Sequence, residues 1–275
     1  MTRNVINIFP DELEEFRTKT RERNYLLIDV RQPREYAEGH IPGAKLIPLP
    51  DIENRLDEIE PGKDLVFYCR TGGRSAVAAA LIKDAAEQKG ALYNLVGGIA
   101  GWEGKELKDI PHLELFPRDM PLAQTLYRAM NMEKGAWLFY RDLAREYEGT
   151  ELGDMVRDLG GMEETHARTI FNFWNKHRTS PATDTFEEIF ERLDGKIMEG
   201  GKPVSAWMAR LGRNPEDRKL RLLELACEIE YYAYDLYRGL ANRDTDAAQT
   251  YLLLAEQEKA HVRVISKALN RFFGD

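Results

Sequence analysis

Leu65-Val-Phe-Tyr68, then Cys69-Arg-Thr-Gly-Gly-Arg74-Ser75, then Ala76-Val-Ala-Ala-Ala-Leu81, is the stretch that decides how the first half of this chain folds. The apolar run reads as a buried strand and the alanine-rich run as a helix. A cysteine opens the tight loop between them. Its glycines let successive backbone N–H groups converge on the Cys69 sulfur, and the N-terminus of the following helix adds positive potential. Arg70 and Arg74 add more. Such surroundings lower a thiol pKa and stabilise a thiolate or a persulfide.

Outward from this loop the same grammar repeats. Leu26-Leu-Ile-Asp-Val30 and Ala91-Leu-Tyr-Asn-Leu-Val96 read as further buried strands, with Val5 to Phe9 a weaker one. Helical spacing runs from Pro10 to Arg21 and from Arg74 to Ala86. Strands alternating with helices predict a parallel sheet covered on both faces. Glycine and proline signals fall between the elements, at Gly39-His-Ile-Pro-Gly43, Pro48, Pro50, Pro61-Gly62, Gly97-Gly98 and Gly101. The pattern ends near residue 110. Residues 103–121 carry Pro111, Pro117 and Pro121 without a sustained period, and the linker is placed at 111–117.

From 118 to 275 four long helical patterns appear and no convincing strand. The first has Leu122, Leu126, Met130, Trp137, Tyr140, Leu143 and Tyr147 on one face, with Glu133 in the gap. The second has Leu152, Met155, Leu159, Met162, Ile170 and Phe173, interrupted by Glu163 and His166. Leu223, Cys227, Tyr234, Tyr237 and Leu240 mark the third, completed by Glu230; Tyr251, Leu254, Ile265 and Leu269 mark the fourth, around Glu258 and His261. Between the second and third lies a long crossover, about 178–213, with short helices near Phe186 to Leu193 and Val204 to Leu211. Such a crossover is one known wiring of a four-helix bundle.

Helical residues three apart share a face, so each Glu-x-x-His pair points inward together. Four buried carboxylates would repel one another, and each uncompensated one costs several kcal/mol. Two divalent cations offset four negative charges, and a carboxylate–imidazole donor set suits iron, manganese or zinc. An internal repeat supports the pairing of helices: Glu133-x6-Tyr140-Arg-Asp-Leu-Ala mirrors Glu230-x6-Tyr237-Arg-Gly-Leu-Ala. Glu164 and Glu228 lie off the stripes and are set aside. Tyr140, Tyr234 and Tyr237 could donate to the metal ligands, with core packing the favoured role for each; Cys227 reads as a small buried hydrophobe and His177 as a charge at a helix C-terminus.

Composition sets the frame. The chain has 275 residues, enough for two cores, and a formal net charge of -8, which argues against nucleic acid or an anionic membrane as partner. Two cysteines so far apart make neither a disulfide scaffold nor a four-cysteine metal site. With no spanning apolar run and no secretory signal at Met1-Thr-Arg-Asn-Val, a cytoplasmic location is expected.

Two resemblances then become plain. Ile28-Asp-Val-Arg31, Glu35-Tyr, Gly39-His-Ile-Pro-Gly-Ala44, the Cys69 loop and Gly97-Gly-Ile-Ala-Gly-Trp102 make residues 1–110 similar to single-domain rhodaneses, a sulfurtransferase family. That resemblance implies that Cys69 is the nucleophile carrying sulfane sulfur as a persulfide. Arg70, Thr71, Gly72, Gly73 and Arg74 would cradle it and an anionic donor such as thiosulfate, with a thiol or cyanide-like acceptor. Asp29 and Arg31 would stabilise the fold nearby. Some rhodanese-fold proteins are phosphatases with an arginine six residues after the cysteine; here Ser75 holds that position, which favours sulfur transfer.

Residues 118–275 resemble rubrerythrins and the wider ferritin-like superfamily on all six positions: Glu133, Glu163, His166, Glu230, Glu258 and His261. The resemblance implies two iron ions and an oxidoreductase reactive toward peroxide or oxygen. It departs at the rubredoxin cysteines, which are missing, and one turn after Glu230, where Ala233 and Tyr234 stand in place of a further glutamate. A reductant then comes from an external electron-donor protein or from the thiol chemistry. The expected architecture is an α/β rhodanese-like parallel-sheet domain followed by an all-α ferritin-like four-helix bundle that self-associates as a dimer. A passive metal-binding or dimerisation bundle beside a simple sulfurtransferase is the alternative.

Overall fold

The computed structural model describes residues 4–83, 89–108, 113–177, 184–212 and 214–273. The chain divides into two compact units, 1–111 with 237–242, and 112–236 with 243–275. The first two residues of the expected linker, the start of the crossover and the end of the helix read to Ala86 lie outside the described residues.

In the first unit β1 (Val5–Ile8), α1 (Pro10–Lys19), β2 (Tyr25–Asp29), α2 (Pro33–Glu38), β3 (Lys45–Leu46), β4 (Asp64–Tyr68), α3 (Gly73–Lys83) and β5 (Leu92–Leu95) follow one another. The five strands are all parallel, in the order β1-β5-β4-β2-β3. Alternate residues feed two cores, as a period of two requires. Leu26, Ile28, Leu65, Phe67 and Cys69 join Ala78, Ala79 and Ile82 of α3 on one face. Tyr25, Leu27, Val66 and Tyr68 join Leu13 of α1 on the other. α1 starts at a proline, and Phe9 N–H donates to Glu12 Oε2 at 2.8 Å.

Among the described residues, the elements that the sequence reading did not contain include β3, α2 and a 3₁₀ segment over Leu49–Glu58. Each is too short or too irregular to show a period. Leu107 exchanges two backbone hydrogen bonds of 2.9 Å with His40, so the sheet unit continues at least that far.

The second unit is helical: α4 (Leu122–Glu146), α5 (Glu151–His177), α6 (Phe186–Arg192), α7 (Val204–Arg210), all but the last turn of α8 (Pro215–Ala241), and α9 (Ala248–Phe273). The four long helices share one core, with Phe139, Tyr140 and Leu143 of α4, Val156 and Leu159 of α5, Leu222 and Leu223 of α8, and Ile265 of α9. Trp207 of α7 closes it. Thr185 and Glu188 form a reciprocal capping box that starts α6. Cys227 is half-buried against this core instead of enclosed by it. Among the described residues no helix is long and apolar enough to cross a membrane.

Candidate functional site

Cys69 follows the last residue of β4, and α3 begins four positions later, so the loop between strand and helix closes around its sulfur. Gly72 N–H donates to Sγ at 3.1 Å. Gly72 has φ 99°, and a Cβ there would lie 3.0 Å from the Leu95 carbonyl oxygen, which is why the loop needs a glycine at this point. Burial of the sulfur opposes its ionisation. The Ser75 hydroxyl and the backbone N–H groups of Ser75, Thr71 and Gly72 outweigh that and bring the thiol below its ordinary pKa. Ser75 Oγ is 3.6 Å from Sγ, 3.1 Å from Gly72 O and 2.7 Å from Asn94 Oδ1. A hydroxyl has one proton and Asn94 is its shortest acceptor, so the backbone donors are the ones the sulfur keeps throughout.

The two arginines of the loop part company. Arg70 is exposed at the edge of a cleft of about 320 Å³, lined also by Arg31, Glu35, Ile99 and Glu106. Arg74 is committed: its Nη1 and Nη2 donate to Glu35 Oε2 and Oε1 at 2.8 and 2.7 Å, although it stays within electrostatic reach of Cys69. That pair holds the Glu35 carboxyl down at about 2. Thr71 and Gly73 are exposed, and Gly72 is buried. Asp29 and Arg31 form a buried bidentate pair, and Arg31 Nη2 also donates to Gly39 O at 2.7 Å. Arg31 is thereby fixed as a brace. Ile99 N–H donates to Cys69 O and Ala100 N–H to Arg70 O, at 2.9 and 3.0 Å, so the Gly97–Trp102 segment supports the loop from behind.

In the helical unit all six singled-out side chains are buried and converge. Glu163, His166, Glu258 and His261 each offer one donor atom, all within 4.8 Å of one another. His166 Nδ1 lies 3.4 Å from Glu133 Oε2, and His261 Nδ1 lies 2.9 Å from Glu230 Oε2. The two imidazoles stack at 4.8 Å with their planes 7° apart. His166 Nδ1 is 2.9 Å from Glu258 Oε1, yet neither atom makes a well-directed hydrogen bond there, and Glu258 Oε2 and Glu163 Oε1 make none either. Buried donor atoms this close together, several of them without a hydrogen bond, could hold a cation between them.

The electrostatics point the same way. Burial pushes Glu230 up to about 7 and, with the charge of Glu230, pushes Glu163 well above the carboxylate range. Burial disfavours charge on both imidazoles, but Glu258 drives His166 well up, and the neighbouring carboxylates of Glu230 and Glu258 drive His261 to about 11. Burial opposes the Glu258 carboxylate too, and the His166 charge overrides it downward.

Of the acidic neighbours set aside, Glu228 is half-buried in a bidentate pair with Arg210, and Glu164 faces Arg168 at 3.3 Å. His177 is exposed at the end of α5, 2.9 Å from Phe173 O. Of the three tyrosines weighed as donors, Tyr140 is both core and donor: its hydroxyl donates to Glu230 Oε1. The sequence reading missed Glu199, a buried carboxylate in the crossover. It lies on no helical stripe, so periodicity gave no sign of it.

Comparison with known proteins bears on the first site. Residues 11–105 match the rhodanese-like domain model. A sulfurtransferase of Allochromatium vinosum is 43% identical over 77 residues, 28% of this chain and 70% of the relative. A putative sulfurtransferase of Bacillus subtilis, YtwF, is 40% identical over 79 residues, 29% of this chain and 74% of the relative. A solved rhodanese-like domain protein from Staphylococcus aureus superposes with a TM-score of 0.34 at 31% identity, covering 38% of this chain and all of that one.

Proposed function

Because the chain belongs to the rhodanese-like family through residues 11–105, we propose that it is a sulfurtransferase in which Cys69 carries sulfane sulfur, joined to a metal-holding bundle of rubrerythrin-like type. The domains are 1–110 and 118–275, joined by 111–117. The observation that carries the first half is the Cys69 sulfur at the mouth of α3, held by the Gly72 N–H and lowered in pKa.

The Cys69 thiolate attacks the outer sulfur of a donor such as thiosulfate. The donor S–S bond breaks, sulfite leaves with its electron pair, and a Cys69 persulfide forms. Backbone N–H groups of the loop hold the persulfide charge, and Arg70 at the cleft edge attracts the anionic donor. An acceptor thiolate or cyanide then attacks the outer sulfur, the Cys69 S–S bond breaks, and the thiolate returns. The phosphatase alternative is disfavoured because the sixth position after Cys69 is Ser75, whose hydroxyl turns to Asn94.

In the bundle Glu133, Glu163, His166, Glu230, Glu258 and His261 would hold two iron ions, with manganese or zinc as alternatives. Such a pair, when bound, supplies one-electron redox chemistry toward peroxide or oxygen. The surrounding residues supply a dry pocket, a Tyr140 hydroxyl that fixes Glu230, and imidazoles that must give up their protons to ligate. Two assays test the reading. Thiocyanate release from thiosulfate and cyanide should vanish in Cys69→Ser, and phosphomonoester hydrolysis by the wild type without thiocyanate would overturn sulfur transfer. Rapid oxidation of the ferrous protein by peroxide or oxygen should vanish in Glu163→Ala; its absence in the wild type would leave the bundle a passive module.

A further inference from the structure

Glu199 lies between α6 and α7, is 1% exposed, and neither of its carboxylate oxygens makes a hydrogen bond. A buried carboxylate in that state costs several kcal/mol unless a cation meets it. The segment that carries it is built to stay put. Gly195 N–H donates to Asn131 Oδ1 at 3.1 Å, and Asn131 Nδ2 donates to Asp194 Oδ1 at 3.0 Å, which fastens the segment to α4 beside Glu133. Ile197 pairs antiparallel with Pro203, and Met198 N–H donates to Lys202 O at 3.0 Å. Glu199 therefore rides at the tip of a small hairpin, followed by Gly200 and Gly201 at φ 79° and 68°.

Both flanks of that tip touch the helices that give the bundle its single glutamates. A Cβ on Gly135 of α4 would lie 3.0 Å from Met198 Cγ, and one on Gly200 would lie 3.2 Å from the Tyr232 ring of α8. Gly135 is two residues beyond Glu133, and Tyr232 two beyond Glu230. Along the helix axes the tip is therefore held within one turn of both carboxylates. The charges of Glu133, Glu258 and Glu230 reach it through the core and reinforce burial in raising its pKa.

We propose that Glu199 is a fifth carboxylate donor to the metal pair, delivered by the crossover hairpin and not by a helix. This rests on the metal-binding reading of the bundle. Five carboxylates carry one charge more than two divalent cations neutralise. Glu199 therefore stabilises the pair most when one ion is trivalent, which selects iron or manganese over zinc.

The test compares the full-length chain with Glu199→Gln, which keeps the shape and removes the charge, and with Glu164→Gln as a control off the cluster. Each is titrated anaerobically with iron(II) by calorimetry, and melting is followed with and without the metal. The wild type and Glu164→Gln should take up two ions per chain. In Glu199→Gln one of the two should bind about tenfold or more weakly. The metal-free variant should melt at or above the wild type, while its gain on metal loading shrinks. Should the Gln variant fail to fold, Glu199→Asp, charged but one methylene shorter, should show the same weakened site. Two ions bound with wild-type affinity in the substituted chain would overturn the role of Glu199 and leave the metal reading intact. No uptake by the wild type would overturn both.

Discussion

Replacing Gly98 by alanine should damage the Cys69 loop through contact, and the size of the effect follows from the backbone. Gly98 has φ 56°, and a Cβ there would stand 2.3 Å from Cys69 O and 2.6 Å from Arg70 C. Those atoms are backbone, held by the bonds from Ile99 and Ala100, and cannot turn aside as a side chain would. Left-handed backbone costs an L-residue roughly 1–2 kcal/mol. Overpacking adds about 1–3 kcal/mol. The sum is about 2–5 kcal/mol. Gly62 supplies the control, with φ 93° and nothing within 4 Å of its Cβ position, so Gly62→Ala should show only the conformational cost. Urea-dependent hydrogen exchange at the amides of β2 and β4 reads the sheet unit alone, since those strands form its core. Gly98→Ala should lose at least about 1 kcal/mol more than Gly62→Ala by the same estimate. Equal losses would refute the contact argument.

Two further outcomes follow from the ionisable groups of the sheet unit. The lowered Cys69 pKa means that the thiolate persists to lower pH than in a free thiol, so iodoacetamide reactivity should fall away only below the free-thiol midpoint. Ser75→Ala should move that midpoint upward without restoring the free-thiol value, and an unchanged midpoint would remove Ser75 from the account. Glu35 is depressed to about 2 by Arg74, so its contribution is present above the ordinary carboxylate pKa and lost as pH falls toward about 2. Both partners are about a third exposed, so the contribution is about 1 kcal/mol or less. Glu35→Gln should flatten the urea midpoint against pH over that window; an identical slope would show that the pair contributes nothing.

Whatever recurs with a period or crowds into a short motif is legible in the chain alone. Alternating apolar residues placed Leu26, Ile28, Leu65 and Phe67 in strands. The Cys69 loop declared itself because sulfur chemistry needs glycines and a helix N-terminus within a few residues. Glu133, Glu163, Glu230 and Glu258 were legible because each interrupts an apolar stripe, and the structure brings them together with His166 and His261.

Other features depend on groups far apart in the chain and arise only when it folds. Arg74 and Glu35 stand 39 positions apart, and nothing in the loop sequence says that one guanidinium is bound while Arg70 stays exposed. Tyr140 looked like core until its hydroxyl met Glu230, 90 residues on. Glu199 sits in a glycine-flanked hairpin with no period to betray it, and its burial depends on where Gly135 and Tyr232 happen to pass. Local propensity and periodicity write themselves into neighbouring residues, whereas the partner of a buried charge is chosen by the packing of distant segments.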